Sequence, residues 1–305
     1  MSEVRPAASS GALAPALFIA QGFTQYIGAS LAVVLFAVMP ATTVAWWRLA
    51  IAALILLAWR RPWPPRVQLT ARDLGNAALF GLFLATMNIL FYMAIARIPM
   101  GPAVALEFTG PVVVAALAGR GWRDRLAILL AALGIISIGG LGMNWNDPGI
   151  AAGIAYALGA GVAWAIYIVL GRALATRRGG ETERTRGPDG IDSLAIGMAV
   201  GALVYLPSAV TTLSPAVTDV TLGLTVIGVA VLSSVFPYAI DQVNFGRLSA
   251  VTFAILTALL PATSVVVAAI MLAQRPNVFE WLGLLLISTA VALTGRNRAG
   301  NDSVT

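Results

Sequence analysis

Residues Val104-Ala-Leu-Glu-Phe-Thr-Gly-Pro111 set one carboxylate, Glu107, inside an apolar run that extends from Pro102 to Ala118. An ionisable side chain in a membrane-spanning helix costs roughly 2.5 kcal/mol or more on insertion scales. Such a group therefore faces a partner, a cavity or a transport path rather than lipid. The run is one of many. Charge-free stretches also cover Leu74 to Ala96, Val220 to Ile240 and Leu248 to Gln274, each near the roughly 20 residues that cross a bilayer as helix.

The 305 residues are 59% hydrophobic and only 10% charged, far below the roughly 25% charge of a soluble domain. The chain reads as an all-α integral membrane protein. Loops marked by Pro, Gly and Arg divide it into about ten spans, near 12–36, 41–59, 74–95, 101–119, 125–143, 150–171, 191–211, 220–240, 249–273 and 278–295. The roughly ten-residue alternating segments of an outer-membrane barrel are missing.

All 19 basic residues are arginine, and they gather on one side. Arg60, Arg61, Arg66 and Arg72 follow span two, Arg120, Arg123 and Arg125 follow span four, and Arg172, Arg177, Arg178, Arg184 and Arg186 follow span six. Arg5, Arg247, Arg296 and Arg298 fall on the same side, opposite only Arg97 and Arg275. The positive-inside rule makes that side, and both termini, cytoplasmic. Met1 to Ser10 does not resemble the start of a cleaved signal peptide, so span one is expected to stay as a helix. The arginines are split among loops and form no basic domain, so no nucleic-acid partner is expected.

Cysteine and histidine are absent. Disulfide and thiol chemistry are excluded, the commonest metal ligand and general base is missing, and no metal or cofactor is expected. A membrane-embedded lipid-modifying enzyme has little to work with. The chain also lacks lysine, and hence a Walker-type phosphate loop.

Five spans precede the loop Asn144-Trp-Asn-Asp-Pro-Gly149 and five follow it, dividing the chain into units 1–146 and 147–305. A shift of 150 residues sets Arg97 on Arg247, Leu106 on Leu256, Pro111 on Pro261 and Ala118 on Ala268; with one residue of slippage Leu133-Gly134 meets Leu282-Gly283. An odd number of spans per unit puts the two copies into the membrane in opposite senses. Inverted repeats of this kind mark many secondary transporters, with the substrate site between the halves. The charged, glycine-rich segment 172–192 is expected to be a flexible cytoplasmic loop.

Several polar residues stand at helical spacing: Gln21 and Gln25 in span one, Asn88 and Tyr92 in span three, Trp164 and Tyr167 in span six, Ser234 and Tyr238 in span eight. Thr257 aligns with Glu107 across the repeat. Each also reads as an interhelical hydrogen bond or an interfacial aromatic; together they surround one path. Glu107 reads as a proton-coupling or substrate-ammonium site, or as a structural carboxylate. Arg48, the one basic residue within a span, is a candidate partner for a substrate carboxylate or for Glu107. The simpler reading has it snorkel towards an interface or cap backbone carbonyls, because it lies about one turn into its helix. Pro111, Pro237 and Pro261 break helices and free carbonyls for other donors.

Asn88-Ile-Leu-Phe-Tyr92, Pro102-Ala-Val-Ala-Leu-Glu-Phe-Thr-Gly-Pro111 and Ala157-Leu-Gly-Ala-Gly-Val-Ala-Trp-Ala-Ile-Tyr-Ile168 resemble the threonine and homoserine exporters of the drug/metabolite transporter superfamily, built from two EamA-type units. The resemblance implies a bacterial inner-membrane exporter of threonine, homoserine and other neutral amino acids, working by alternating access and driven by proton exchange or the substrate gradient. Aromatic amino acids or another metabolite are the alternative cargo. Leu260 stands where those exporters often carry Glu before the span-nine proline, and Leu272-Ala-Gln274 replaces a frequent Leu-Gly-Glu. These departures leave Glu107 as the one carboxylate deep in a span, and favour a broader substrate range or facilitated efflux.

Overall fold

The structure is a computed structural model that describes residues 10–64, 67, 69–118, 121–143, 145–178, 188–238, 240 and 260–302. These residues are helical, with no strand among them. The helices are α1 (Ser10–Leu35), α2 (Ala41–Arg60), α3 (Ala71–Ile95), α4 (Met100–Ala118), α5 (Trp122–Ile135), α6 (Ile150–Arg178), α7 (Gly190–Tyr205), α8 (Val220–Ala230), α9 (Leu260–Met271) and α10 (Val278–Asp302). α5 continues as a π-helix over Ile136–Gly142 and α8 as another over Val231–Val235. By length and composition, segments 41–60, 71–95, 150–170, 190–208 and 220–238 can cross a membrane, and shorter apolar helices accompany them.

Acidic residues missing from the spans cap the helices. Thr70 and Asp73 form a reciprocal box at the start of α3, Asp189 and Asp192 do the same for α7, and Asp219 accepts from the Leu222 amide to open α8. Asn277 and Glu280 exchange two 3.0 Å bonds at the start of α10. Each box satisfies amides that the first helical turn leaves unpaired.

The expected span 191–211 is too long. α7 stops at Tyr205 and gives way to short 3-10 turns, because Pro207 has no amide hydrogen and its ring obstructs a continuing helix. The expected flexible loop 172–192 also needs correction at both ends. α6 runs on to Arg178, through Arg172-Ala-Leu-Ala-Thr-Arg-Arg178, a string of good helix formers. At the far end Asp189 and Asp192 are tied down: Arg60 at the end of α2 donates to Asp189 and, at 3.1 Å, to Asp192, which is 2% exposed.

α3 lies against α6 and α7, α4 against α6, α9 and α10, α2 against α7, and α1 against α8 and α9. A large apolar core joins α1, α3, α4, α5 and α10. A second, smaller one fills the space between α2, α3 and α7 with Leu49, Leu56, Phe80, Leu84, Leu194 and Met198. It lies on the arginine-rich side, beneath the Arg60 contact.

α5 and α10 cross with a reciprocal geometry. A methyl on Gly134 would stand 2.5 Å from Ile287 and 3.1 Å from the Gly283 carbonyl; one on Gly283 would collide with Ile138 and stand 2.8 Å from the Gly134 carbonyl. Gly134 and Gly283, like Ile138 and Ile287, are 149 positions apart (283 less 134, 287 less 138). Each glycine thus receives the isoleucine of the opposite helix, the pattern a two-fold axis imposes on a self-complementary contact.

Gly134→Val and Gly283→Val are each expected to destabilise the detergent-solubilised protein by about 1–3 kcal/mol through overpacking, and by similar amounts. Thermal melts of the two variants check this, and a large inequality contradicts the reciprocal crossing. Arg60→Ala leaves buried Asp192 short of a donor, and should cost roughly 1–3 kcal/mol in the same assay.

Candidate functional site

The site starts from a missing hydrogen. In an α-helix the Ser233 carbonyl would accept from the amide of residue 237, and Pro237 has none. The π-helical stretch Val231–Val235 carries this defect in α8, as such bulges often do at functional positions. Arg48 of α2 supplies the missing donor: its Nη2 reaches the Ser233 carbonyl at 2.7 Å and its Nε reaches Ser234 Oγ at 2.7 Å. The guanidinium also lies 5.2 Å from the centroid of the Tyr92 ring, a cation–π distance.

Arg48 is only 4% exposed and donates to the backbone carbonyl of Ser233, so of its two simpler readings it caps a carbonyl and does not snorkel to an interface. It stands about two turns into α2, and its side chain turns inward because α8 offers that carbonyl and the Ser234 hydroxyl. The carbonyl freed by Pro237 is thus satisfied by a neighbouring side chain.

Pro111 repeats the device in α4. It deprives the Glu107 carbonyl of its α-helical donor, and there Gly161 of α6 comes so close that a methyl on it would stand 2.5 Å from that oxygen. Only glycine admits this approach. The Glu107 side chain is 9% exposed, and among the described residues neither a hydrogen bond nor an ion pair reaches its carboxylate. Arg48 and Tyr26 are both near enough to act on it electrostatically. An acid and a guanidinium therefore lie in one buried region and, among the described residues, do not join in a salt bridge.

Tyr92 is fully buried, its ring set edge-on to Phe36 at 5.9 Å, and its hydroxyl has no hydrogen-bond partner among the described residues. Ser30 Oγ and Trp47 Nε1 are likewise buried without partners among them. Asn88, one turn before Tyr92, donates back to the Leu84 carbonyl at 2.7 Å. Gln21 is buried on α1 at 4% exposure, and the half-buried Gln25 offers its carbonyl to Ser233 Oγ at 3.3 Å. Trp164 of α6 packs edge-on against Phe108 at 4.5 Å, next to Glu107.

The structure does not bring every sequence candidate to this point. Tyr167 stacks on Phe80 at 4.4 Å, and it and Tyr238 pack on the second apolar core. Their i, i+3 and proline-flanking positions place them on the helices of Trp164 and Ser234, but their side chains meet the second core. Thr257 lies outside the described residues. Tyr26 and Ser233 were missed. Ser233 had a readable signal, four residues before a proline; Tyr26 had none beyond its place one residue after Gln25. No cluster of metal-ligating side chains occurs among the described residues.

Known proteins resemble the chain over most of its length. The model of the EamA-like transporter family matches residues 151–296. The threonine/homoserine exporter RhtA of Escherichia coli K12 is 35% identical over 266 residues, 86% of this chain and 84% of that protein. RhtA of Salmonella typhimurium LT2 is 34% identical over 263 residues, with the same two coverages. One crystal structure shares the fold, with a TM-score of 0.59 at 14% identity over 92% of this chain and 95% of that one. The chain, with its buried charges and proline-opened helices, belongs to the EamA-like transporter family of the drug/metabolite transporter superfamily.

Proposed function

We propose that this transporter exports threonine, homoserine and other neutral amino acids across the bacterial inner membrane. The single observation that carries the reading is the pair of Glu107 and Arg48. Two opposite charges are buried in one region, yet the carboxylate has neither a hydrogen bond nor an ion pair among the described residues. The guanidinium gives only Nε and Nη2 to Ser234 and Ser233, so further N–H groups stay available. Charges held apart in low dielectric are costly to the empty protein. A zwitterion relieves both at once, with its ammonium at Glu107 and its carboxylate at Arg48. The RhtA relatives are threonine/homoserine exporters, which supports amino acids as the cargo.

Transport then works by alternating access between two inverted five-helix halves, 1–146 and 147–305, ten spans in all with both termini cytoplasmic. The reciprocal crossing of α5 and α10 supports the two-fold relation. Towards the arginine-rich side lie the second apolar core and the contacts of Arg60 with Asp189 and Asp192. A cavity of about 180 Å³ lies between the start of α4 and the start of α10, lined by Pro99, Gly101, Gln274 and Glu280 among others. Gln274, one of the lining residues, accepts from the Met100 amide at 3.0 Å. Glu107 is also the proposed proton carrier, since it can hold either a proton or an ammonium but not both. An enzyme role is excluded by the family.

Counterflow of labelled threonine in proteoliposomes tests the assignment. Glu107→Gln should raise the half-saturating threonine concentration at least tenfold and remove the dependence of exchange on pH. Unchanged exchange with unchanged pH dependence sinks the role of Glu107. Arg48→Lys keeps the charge but cannot serve Ser233, Ser234 and a substrate from one planar fork. We expect about a tenfold loss of exchange from it; wild-type behaviour would remove Arg48 from the site.

A further inference from the structure

The Tyr92 hydroxyl is an unexplained expense of the fold. Its ring is wedged between the Arg48 guanidinium at 5.2 Å and the edge of Phe36 at 5.9 Å, with Phe91 at 6.2 Å. Phenylalanine would make all three contacts. The oxygen adds nothing to them and is sealed from solvent without a partner, a state that costs free energy comparable to a lost hydrogen bond. Native proteins rarely leave such an atom idle, and each exception calls for a cause.

We propose that Tyr92 is the specificity-determining residue for a side-chain hydroxyl on the transported amino acid. The inference rests on the zwitterion site of Glu107 and Arg48 and adds a third point to it. With the ring under Arg48, the hydroxyl stands within the length of one small amino acid from the guanidinium. A substrate whose carboxylate takes the free N–H groups of Arg48 carries its side chain towards that oxygen. A β- or γ-hydroxyl there, as in threonine or homoserine, gives the phenol the partner it lacks. An isosteric methyl leaves it orphaned, and a site built to bond a hydroxyl rejects the analogue without one far more strongly than an apolar pocket rejects a missing methylene.

Threonine and valine have the same shape and differ by hydroxyl for methyl, so they isolate the effect. In wild-type proteoliposomes, unlabelled threonine should inhibit counterflow of labelled threonine at a concentration at least about tenfold lower than valine. In Tyr92→Phe that ratio should fall to within about threefold, and the variant should melt no lower than wild type because a buried orphan has been removed. A ratio preserved in Tyr92→Phe, as when the phenol binds only an ordered water, overturns the proposal and leaves the exporter reading standing. Equal inhibition by threonine and valine in the wild type overturns it without any variant. Absence of threonine counterflow in the wild type overturns both readings together.

Discussion

A guanidinium cannot discard its charge inside a membrane, and the heart of this protein is arranged around that constraint at Arg48. Lipid offers no acceptors, so the protein must supply them. It does so by breaking a helix: Pro237 withholds one amide, the α8 ladder widens into a π-turn, and the Ser233 carbonyl is left for Arg48 to take. Ser234 and the Tyr92 face complete the cage. Four helices are thereby fixed relative to one another: α2 by Arg48, α8 by its serines, α3 by Tyr92 and α1 by the bond from Ser233 to Gln25. Glu107 enters this field from α4, where a second proline and a glycine contact bring α6 against its backbone.

Two apolar cores pack around these contacts. The broad core around α1, α3, α4, α5 and α10 carries the charged site. The second core, between α2, α3 and α7, is purely apolar and is closed at its end by an ion pair. The crossing of α5 and α10 is reciprocal, each helix lending an isoleucine to the glycine of the other.

The helices were legible because hydrocarbon enforces a simple rule: the chain stays apolar for about 20 residues, then shows arginine, proline or glycine. Boundaries failed where that rule is silent. Pro207 shortens α7 inside a run that hydropathy alone extends, and Arg172 to Arg178 continues α6 because polar residues can also be good helix formers. Glu107 was legible as an anomaly of charge. Arg48 was legible as a cap for backbone carbonyls, but not which carbonyl it takes, since that one is freed 185 residues later in the chain. Tyr167 and Tyr238 share helical faces with site residues yet sit in the other core, because periodicity gives the face of a helix and not the depth at which it meets its neighbour. The orphaned Tyr92 hydroxyl could not be read from sequence at all, for it is defined by what fails to lie beside it.

The central claim is that Glu107 and Arg48 together receive a zwitterion, and ligand-induced thermal stabilisation of the purified protein tests it most directly. A ligand that binds only the folded state raises the melting temperature in proportion to the logarithm of its concentration above Kd. Threonine should stabilise the wild type, while N-acetylthreonine, without the ammonium, and threonine amide, without the carboxylate, should not. Equal stabilisation by threonine and either blocked analogue would contradict the account.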